Sequence, residues 1–273
     1  MELDGVALVV GGAGGIGRAC AEAFASYGAC GIIVADIDLT AAQAVSSRCM
    51  VLGKAPKFQA DSVHMDVTIE KSVEDGVKYA SEAFGRIDYC VICAGVGAKT
   101  GTQLLETTLP ELVSFMDVNV IGTFLVTRAV SAIMKLQDLR PVSPKDPERG
   151  VTRGAITIMG SLSSFVPTPG LVGYTTSKHA VLGLARSAAL DNVQHSIRVN
   201  CVCPSWVDTP MVQSAKEGVA GLEEMISSLV PMGRMARPQE VADTVLFLCS
   251  PMSSYTTGIA LVVDGGTSLG SKL

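Results

Sequence analysis

The sequence predicts a single α/β domain, covering residues 1–273, built on an open parallel sheet with helices on both faces. Short apolar segments alternate with longer segments in which apolar residues recur at helical spacing. Strands that are apolar throughout are typical of parallel sheets buried on both sides. No internal repeat or linker-like segment divides the chain, so we expect one domain.

The elements follow from this alternation. The predicted strands are Val6–Val10, Gly31–Ala35, Tyr89–Cys93, Ala155–Met159, Arg198–Val202 and Ala260–Val263, with Val63–Val67 as a weaker seventh. Helical spacing predicts helices over 15–28, 39–52, 70–84, 109–136, 172–194 and 238–249. Residues 138–153 are rich in proline and charge, which predicts an inserted surface loop. We favour a solvated excursion there over a partner site.

Composition excludes several classes of function. Hydrophobic residues make up 48% of the chain and the formal net charge is −5, without a dense run of Lys or Arg. Nucleic acid and anionic membrane are therefore poor partners. The acidic start, residues 1–5, lacks the basic region of a signal peptide, and no run of 18 apolar residues predicts membrane insertion. We expect a cytoplasmic protein.

The eight cysteines are spread through apolar segments. The spacings Cys90-x-x-Cys93 and Cys201-x-Cys203 raise the possibility of a zinc site, but both pairs lie in predicted strands and the chain has only three histidines. We therefore expect reduced, mostly buried cysteines and no metal.

A glycine-rich segment follows the first predicted strand and opens the first helix. This context lets backbone approach a pyrophosphate at a helix N-terminus. The glycines fit three patterns, Gly12-x-Gly14-x-x-Gly17, Gly11-x-x-Gly14-x-x-Gly17 and Gly11-x-x-x-Gly15-x-Gly17, and do not by themselves choose among them.

Asp36 ends the second predicted strand, nineteen residues after Gly17. A carboxylate there can accept hydrogen bonds from the adenosine ribose and would repel a 2′-phosphate, which favours NAD over NADP. Arg18, just after the glycines, is the competing signal for NADP.

Tyr174 and Lys178 lie four residues apart in a predicted helix, with Ser161 thirteen residues before the tyrosine. Positions i and i+4 share a helix face. A nearby ammonium stabilises the phenolate form of a tyrosine, which turns the phenol into a proton acceptor. A serine hydroxyl can hold a substrate oxygen beside it, so the group predicts proton transfer on an alcohol or carbonyl.

Together these features resemble the classical short-chain dehydrogenase/reductase family over essentially the whole chain. The resemblance is carried by Gly11-x-x-x-Gly15-Ile16-Gly17, Asp36, Asp66-Val67, Ala94-Gly95, Asn119-Val-x-Gly122, Ser161, Tyr174-x-x-x-Lys178, Pro204 and Asp264-Gly-Gly266. It selects the third glycine pattern. It implies a Rossmann-type fold with a cofactor-binding part over about 1–160, a catalytic and substrate part over about 155–273, and a lid over about 205–230.

The resemblance also implies the residue roles. Tyr174 would be the general acid/base, Ser161 would orient the substrate oxygen, Lys178 would assist the tyrosine and bind the nicotinamide ribose, and Asn119 would bend its helix and hold a relay water. Such proteins are usually homotetramers. The implied cofactor-binding residues are Gly11, Gly15, Ile16, Gly17, Asp36, Asp66, Val67, Ala94, Tyr174, Lys178, Val207 and Thr209.

The chain departs from the family pattern at three places. Val10 replaces a common threonine, Ile92-Cys93 replaces an Asn-Asn pair, and Ser205 replaces the glycine after Pro204. None of these changes removes a predicted catalytic group. His179 follows Lys178 and should face away from the site.

The predicted substrate pocket is apolar. It combines the segment after Gly95, residues 163–173 and the lid, with walls from Phe165, Val166, Pro167, Leu171, Trp206, Met211 and Met225. A bulky hydrophobic secondary alcohol or ketone, such as a terpenoid, steroid or polyketide, fits such walls; closing the core or a subunit contact explains them equally well. The leading interpretation is an NAD-dependent alcohol dehydrogenase. The alternatives are an NADP-dependent ketoreductase and a non-catalytic dinucleotide-binding sensor or scaffold.

Overall fold

In the computed structural model, the described residues are 3–98, 100–218 and 221–270. The elements in chain order are β1 Val6–Val10, α1 Gly15–Ser26, β2 Gly31–Asp36, α2 Leu39–Leu52, β3 Gln59–His64, α3 Glu70–Phe84, β4 Tyr89–Ile92, α4 Leu109–Phe115, a π-helical segment Met116–Gly122, α5 Thr123–Leu136, β5 Arg140–Pro141, β6 Val151–Thr152, β7 Gly154–Met159, α6 Val172–Val193, β8 Ile197–Pro204, α7 Pro210–Gly218, α8 Leu222–Leu229, α9 Pro238–Cys249 and β9 Ala260–Val263.

Seven strands form one sheet in the order β3-β2-β1-β4-β7-β8-β9. Every neighbouring pair is parallel, and the carboxyl ends of β1, β2 and β4 align, with Val10 opposite both Ala35 and Ile92. The strand order reverses between β1 and β4, because β2 and β3 lie to one side of β1 and the later strands to the other. In open α/β sheets, ligands bind at the carboxyl ends beside such a reversal. This is the Rossmann-type, doubly wound, single-domain fold that the sequence predicts.

Each face of the sheet has its own apolar core. Leu8 and Val10 of β1 join the cluster under α3, α5 and α6, whereas Ala7 and Val9 join the cluster under α1, α2 and α9. All four side chains are fully buried, as continuous apolar strands require when both faces are covered. The two cores fix the positions of the strand ends that carry the site.

The predicted strand Val63–Val67 has the wrong bounds, because the edge strand of the sheet is Gln59–His64. The residues of this edge strand are half-buried or exposed rather than continuously apolar. Met65 and Val67 are buried in the core from the loop after the strand, which is why the sequence shows its apolar residues too late. Apolar character reports burial here, not strand pairing.

The segment predicted as a loop over 138–153 contains a short antiparallel hairpin, β5 with β6. Arg140 fastens it to the amino end of the sheet, where its guanidinium lies 3.3 Å from the buried carboxylate of Asp88 and donates to the Tyr89 hydroxyl at 3.0 Å. This end is opposite to the strand ends that carry the glycine-rich turn. The insertion therefore stabilises the fold away from the candidate site.

The helical run Leu109–Leu136 is long and apolar enough to cross a membrane by length and composition, which is weak evidence because core helices pass the same criterion. Leu125, Val126, Val130 and Met134 pack it against the sheet. The cytoplasmic location stays a prediction.

Candidate active site

The glycine-rich turn leaves the start of α1 open to an anion. Gly11 and Gly15 have φ of +73° and +51°, in the left-handed region that favours glycine. A Cβ on Gly17 would collide with the Gly11 carbonyl oxygen, so the turn lies against its own helix. A Cβ on Gly14, the N-cap, would meet nothing within 4 Å, and no side chain in the described part of the chain caps this terminus. The unpaired N–H groups fit a pyrophosphate.

Asp36 lies at the end of β2 and braces this turn. Its Oδ2 accepts the backbone N–H of Ala13 at 2.9 Å, and its Oδ1 accepts that of Asp38 at 3.0 Å. Arg18, the competing NADP signal, is paired with Glu22 at 2.9 Å on the surface of α1. The glycine-rich turn and the open start of α1 form a cradle for an anion. The Asp36 carboxylate is therefore the charged group held at the edge of this cradle.

Asp66 and Val67, two of the implied cofactor-binding residues, follow the edge strand beside Asp36. The N–H of Met65 donates to the Asp36 carbonyl at 2.9 Å, which places Asp66 and Val67 next along the edge of the cleft. Hydrogen bonds from Thr68 lower the pKa of Asp66 below its ordinary value. Val67 is buried against Gly122, whose added Cβ would lie 2.7 Å from the valine Cγ2.

Tyr174 and Lys178 occupy one face of α6, as the spacing predicts. The Lys178 Nζ lies 5.8 Å from the centre of the Tyr174 ring and donates to the Met159 carbonyl at 3.0 Å. The lysine is 7% exposed and forms no ion pair with any residue that the structure describes. An ammonium has three hydrogens, and the Met159 carbonyl takes one of them. Two hydrogens are left, for the Tyr174 hydroxyl and for a ligand. Phe115 packs edge-on against the tyrosine ring at 6.1 Å.

Asn119 lies in the π-helical segment, which interrupts the long helix where the resemblance implies a bend. Its Oδ1 accepts the Val96 N–H at 2.8 Å, and its Nδ2 donates to the Val96 carbonyl at 3.0 Å and to the Ser177 Oγ at 3.0 Å. The residue is 1% exposed. Its amide therefore joins the loop after β4 to α6, with the Lys178 ammonium close by at Gly95.

Ser161 directly follows the short loop after β7, at the carboxyl end of the sheet, and is buried. Its Oγ accepts the Ser163 N–H at 3.1 Å, which leaves its own hydrogen free to donate. Ser164 takes a different part: its Oγ donates to the Lys178 carbonyl at 2.8 Å and accepts the Ser161 N–H at 3.3 Å. Ser164 thus ties the loop of Ser161 to the backbone of Lys178.

The loop after β8 lies against the glycine-rich turn. Val207 is buried and pairs with Ala236 in an isolated bridge, and Thr209 lies over the glycine turn, with its Cγ2 3.3 Å from an added Cβ on Gly15. Ile16 is half-buried against the sheet core from α1. Ala94 lies beside the turn as well, against Gly11.

Most of the seven predicted pocket walls are exposed: Phe165, Val166, Met211 and Met225 are 41–48% exposed, and Pro167 is exposed as well. Leu171 is half-buried and forms an isolated bridge with Thr102. Trp206 packs into a small cluster of the predicted lid with Leu222, Ile226 and Val230. Met211 also lies over the loop after β4, because its Sδ would be 2.7 Å from an added Cβ on Gly97. The tryptophan is thus part of the lid's own core.

Some residues near the site are not part of its polar group. His179 is exposed, with its ring nitrogen 2.9 Å from the Thr175 carbonyl, and so faces away as expected. Cys201 and Cys203 lie 3.6 Å apart beneath Gly160, and the hydrogen bond with Cys203 together with burial raises the pKa of the Cys201 thiol well above its ordinary value. Among the described residues, no His, Cys, Asp and Glu side chains are grouped to hold a metal ion.

Ser164 and Ser177 are two polar residues that the sequence reasoning did not connect to the site in these roles. Ser177 lies three residues after Tyr174, and residues at i and i+3 share a helix face. That spacing signals a place beside the tyrosine. The contact of Ser164 with the Lys178 carbonyl has no comparable signal, because it depends on how the loop folds.

Comparisons with known proteins agree with this fold and identify the family. The family model described as enoyl-(acyl carrier protein) reductase matches residues 11–268. The chain is 55% identical over 269 residues to the short-chain dehydrogenase fogB of Aspergillus ruber, covering 98% of each chain. It is 38% identical to 2,5-dichloro-2,5-cyclohexadiene-1,4-diol dehydrogenase of Sphingobium indicum, covering 97% of this chain and 98% of that one. The solved structure of levodione reductase superposes with a TM-score of 0.87 at 28% identity, over 98% of this chain and 99% of that one.

The Rossmann-type fold and these matches define an oxidoreductase that binds a nicotinamide dinucleotide. The matches span nearly the whole chain, and the protein belongs to the short-chain dehydrogenase/reductase family.

Proposed function

We propose that this protein is an NAD-dependent dehydrogenase that interconverts a bulky, hydrophobic secondary alcohol and its ketone. One observation carries the proposal: a buried ammonium with spare hydrogens lies beside a phenol on one helix face, and Ser164 ties the loop of Ser161, whose hydroxyl hydrogen is free, to the backbone of that lysine. These groups lie at the carboxyl end of the sheet, as does an uncapped helix N-terminus. Bound dinucleotide would supply the hydride acceptor or donor.

The residues divide the proton chemistry among them. In oxidation, the phenolate of Tyr174 takes the hydroxyl proton of the alcohol while the carbon-bound hydrogen leaves as hydride. In reduction, the same phenol returns the proton. Ser161 donates its free hydrogen to the substrate oxygen and so stabilises charge that develops there. Lys178 stabilises the phenolate, and Asn119 holds the loop after β4 against the helix that carries both.

The preference for NAD rests on Asp36. Both carboxylate oxygens accept backbone N–H groups, which fixes the negative charge at the end of β2. Each oxygen has a further lone pair that can accept a ribose hydroxyl. A 2′-phosphate would meet this charge, while Arg18 is turned to Glu22. An NADP-dependent ketoreductase is therefore the weaker alternative.

The substrate class rests on the exposed apolar side chains of the segments predicted to line the pocket, Phe165, Val166, Met211 and Met225. Such side chains favour an apolar ligand over a sugar phosphate. Two similar proteins, a cyclohexadienediol dehydrogenase and levodione reductase, support a cyclic compound by their names, for instance a terpenoid, steroid or polyketide-like one.

We also propose a homotetramer. Leu109, Val113, Ile121 and Phe124 are 42–72% exposed at spacings of three to eight residues along α4, the π-helical segment and α5, so they form one apolar helix face. Exposed apolar faces of this kind mark protein interfaces. Light scattering at micromolar concentration checks the mass: four times the chain mass is expected, and a monomer or a dimer would overturn this part.

The non-catalytic alternative predicts dinucleotide binding without turnover. The test titrates purified protein with NADH and NADPH, following nicotinamide fluorescence, and then assays 1-tetralol, menthol and cyclohexanol with NAD, and their ketones with NADH. We expect NADH to bind at least tenfold more tightly and at least one cyclic alcohol to be oxidised. Tyr174→Phe should bind NADH normally and lose turnover. A preference for NADPH would refute the cofactor assignment, and a fully active Tyr174→Phe variant would refute the mechanism.

A further inference from the structure

Ser177 lies in α6 between the two residues of the Tyr174–Lys178 pair and is fully buried. Its Oγ donates to the Tyr174 carbonyl at 2.7 Å and accepts the Nδ2 hydrogen of Asn119 at 3.0 Å. The hydroxyl therefore connects the backbone of one candidate catalytic residue to the side chain of another.

The donors and acceptors of this connection can be arranged in only one way. Both hydrogens of the Asn119 amide are used, by the Val96 carbonyl and by Ser177, and its oxygen accepts the Val96 N–H. Because the single hydroxyl hydrogen of Ser177 points to Tyr174, its lone pair must face the asparagine. A continuous chain of hydrogen bonds thus runs from the loop after β4, through Asn119 and Ser177, to Tyr174.

Serines often donate to a carbonyl three or four residues earlier in a helix without any special role. Ser114 and Ser228 do so here, to the carbonyls of Glu111 and Met225, both at 2.8 Å on exposed surfaces. Ser177 differs because it is buried and its oxygen also accepts a hydrogen bond from a distant element, 58 residues away in sequence.

We propose that Ser177 is a positioning residue that fixes Tyr174 relative to Asn119 and to the loop after β4. It touches neither substrate nor cofactor and acts through the first turn of α6. This role rests on the acid/base function proposed above for Tyr174. Small displacements of a catalytic group lower the rate of the chemical step while leaving ligand binding intact.

The experiment compares Ser177→Ala with Thr127→Val, a control that also removes a buried hydroxyl bonded to a helix carbonyl, that of Thr123 at 2.7 Å. With NAD and the cyclic alcohol of the panel that wild type oxidises fastest, we expect Ser177→Ala to lower kcat roughly tenfold, equivalent to about 1.4 kcal/mol. KM and the NADH dissociation constant should stay within about twofold. The control should keep its kcat.

A double-mutant cycle separates positioning from general destabilisation. If Ser177 acts through Asn119, the double variant with Asn119→Ala should be about as slow as Asn119→Ala alone, whereas independent effects would multiply. Multiplicative effects, or a wild-type kcat in Ser177→Ala, would overturn the inference. Ser177→Cys, which has a similar shape and only weak hydrogen bonding, provides a second variant with the same expected loss if the alanine variant does not fold.

The outcomes distinguish this inference from the proposed function. An inactive Tyr174→Phe with a fully active Ser177→Ala would refute only the role of Ser177. A fully active Tyr174→Phe would refute the function on which that role rests.

Discussion

Asp36→Asn is the sharpest test of the cofactor assignment, because it removes the charge and keeps the size of the side chain. The carboxylate of Asp36 accepts two backbone N–H groups through different oxygens. An asparagine has one oxygen and one NH2 group, so one of these two bonds is lost. The glycine turn loosens by the same amount whichever dinucleotide binds.

The binding energy lost with this bond is the same for both dinucleotides, so it cancels in the ratio of the NADH and NADPH dissociation constants. What remains in the ratio is the electrostatic repulsion between the Asp36 carboxylate and the 2′-phosphate of NADPH. Two unit charges about 4 Å apart interact by about 1 kcal/mol in water and about 4 kcal/mol at an effective dielectric of 20. Asp36 is half-buried, so we take about 2 kcal/mol, between these limits, which corresponds to about a 30-fold change in the ratio. The variant should therefore lose most of its preference for NADH over NADPH.

The assay is the fluorescence titration of NADH and NADPH at constant, low ionic strength, where exposed charges are least screened. Asp38→Asn is the matched control: it removes the same charge two residues further on, and asparagine can still accept the Ala41 N–H as an N-cap. We expect the control to shift the ratio less than about threefold. An unchanged ratio in Asp36→Asn, or an equal shift in both variants, would refute the reasoning.

Three further predictions test the cradle, the insertion and the lid. Gly17→Ala should destabilise the protein and abolish NADH binding, because the added Cβ collides with the Gly11 carbonyl. Gly14→Ala should keep the wild-type melting temperature within about 2 °C. Thermal unfolding with and without NADH checks both variants. Arg140→Ala should cost about 1–3 kcal/mol in denaturant unfolding, since it leaves the buried carboxylate of Asp88 less well paired, and should leave kcat unchanged. Trp206 is the single tryptophan of the chain. Its emission should fall by energy transfer when NADH binds, and Trp206→Phe should abolish that signal. Unquenched emission in the wild-type protein would place the cofactor elsewhere.

The sequence predicts the sheet well where burial and strand pairing coincide. In β1, β2, β4 and β7 both faces are covered, so the strands are buried almost throughout and mostly apolar, and their limits can be read from hydropathy to within a residue or so. The prediction fails at β3, because an edge strand needs no apolar residues while the loop after it supplies Met65 to the core. Hydropathy also cannot locate α7 and α8, which pack on a small cluster of their own.

The site follows the same division between local and tertiary information. Helical spacing is a local property, so the shared face of Tyr174 and Lys178 can be predicted from the sequence alone. The partners of Ser164 and Asn119 lie in other elements, at separations of 14 to 58 residues. No local pattern specifies them, because they form only when the loops after β4 and β7 meet α6.

The loss of the Asn-Asn pair shows how backbone can replace side chains at such a junction. The sequence has Ile92-Cys93 there, yet the N–H groups of Cys93 and Ala94 both donate to the Val10 carbonyl, at 2.7 and 3.0 Å. These bonds hold the end of β4 against the end of β1. The glycine-rich turn begins at Gly11, the residue after Val10. A backbone N–H is independent of the side chain, so this junction tolerates Ile92 and Cys93 while Gly11, which packs against Ala94, allows no Cβ. The glycine-rich turn is therefore strict at Gly11 and Gly17, where a Cβ would collide, and the neighbouring strand end is free to vary.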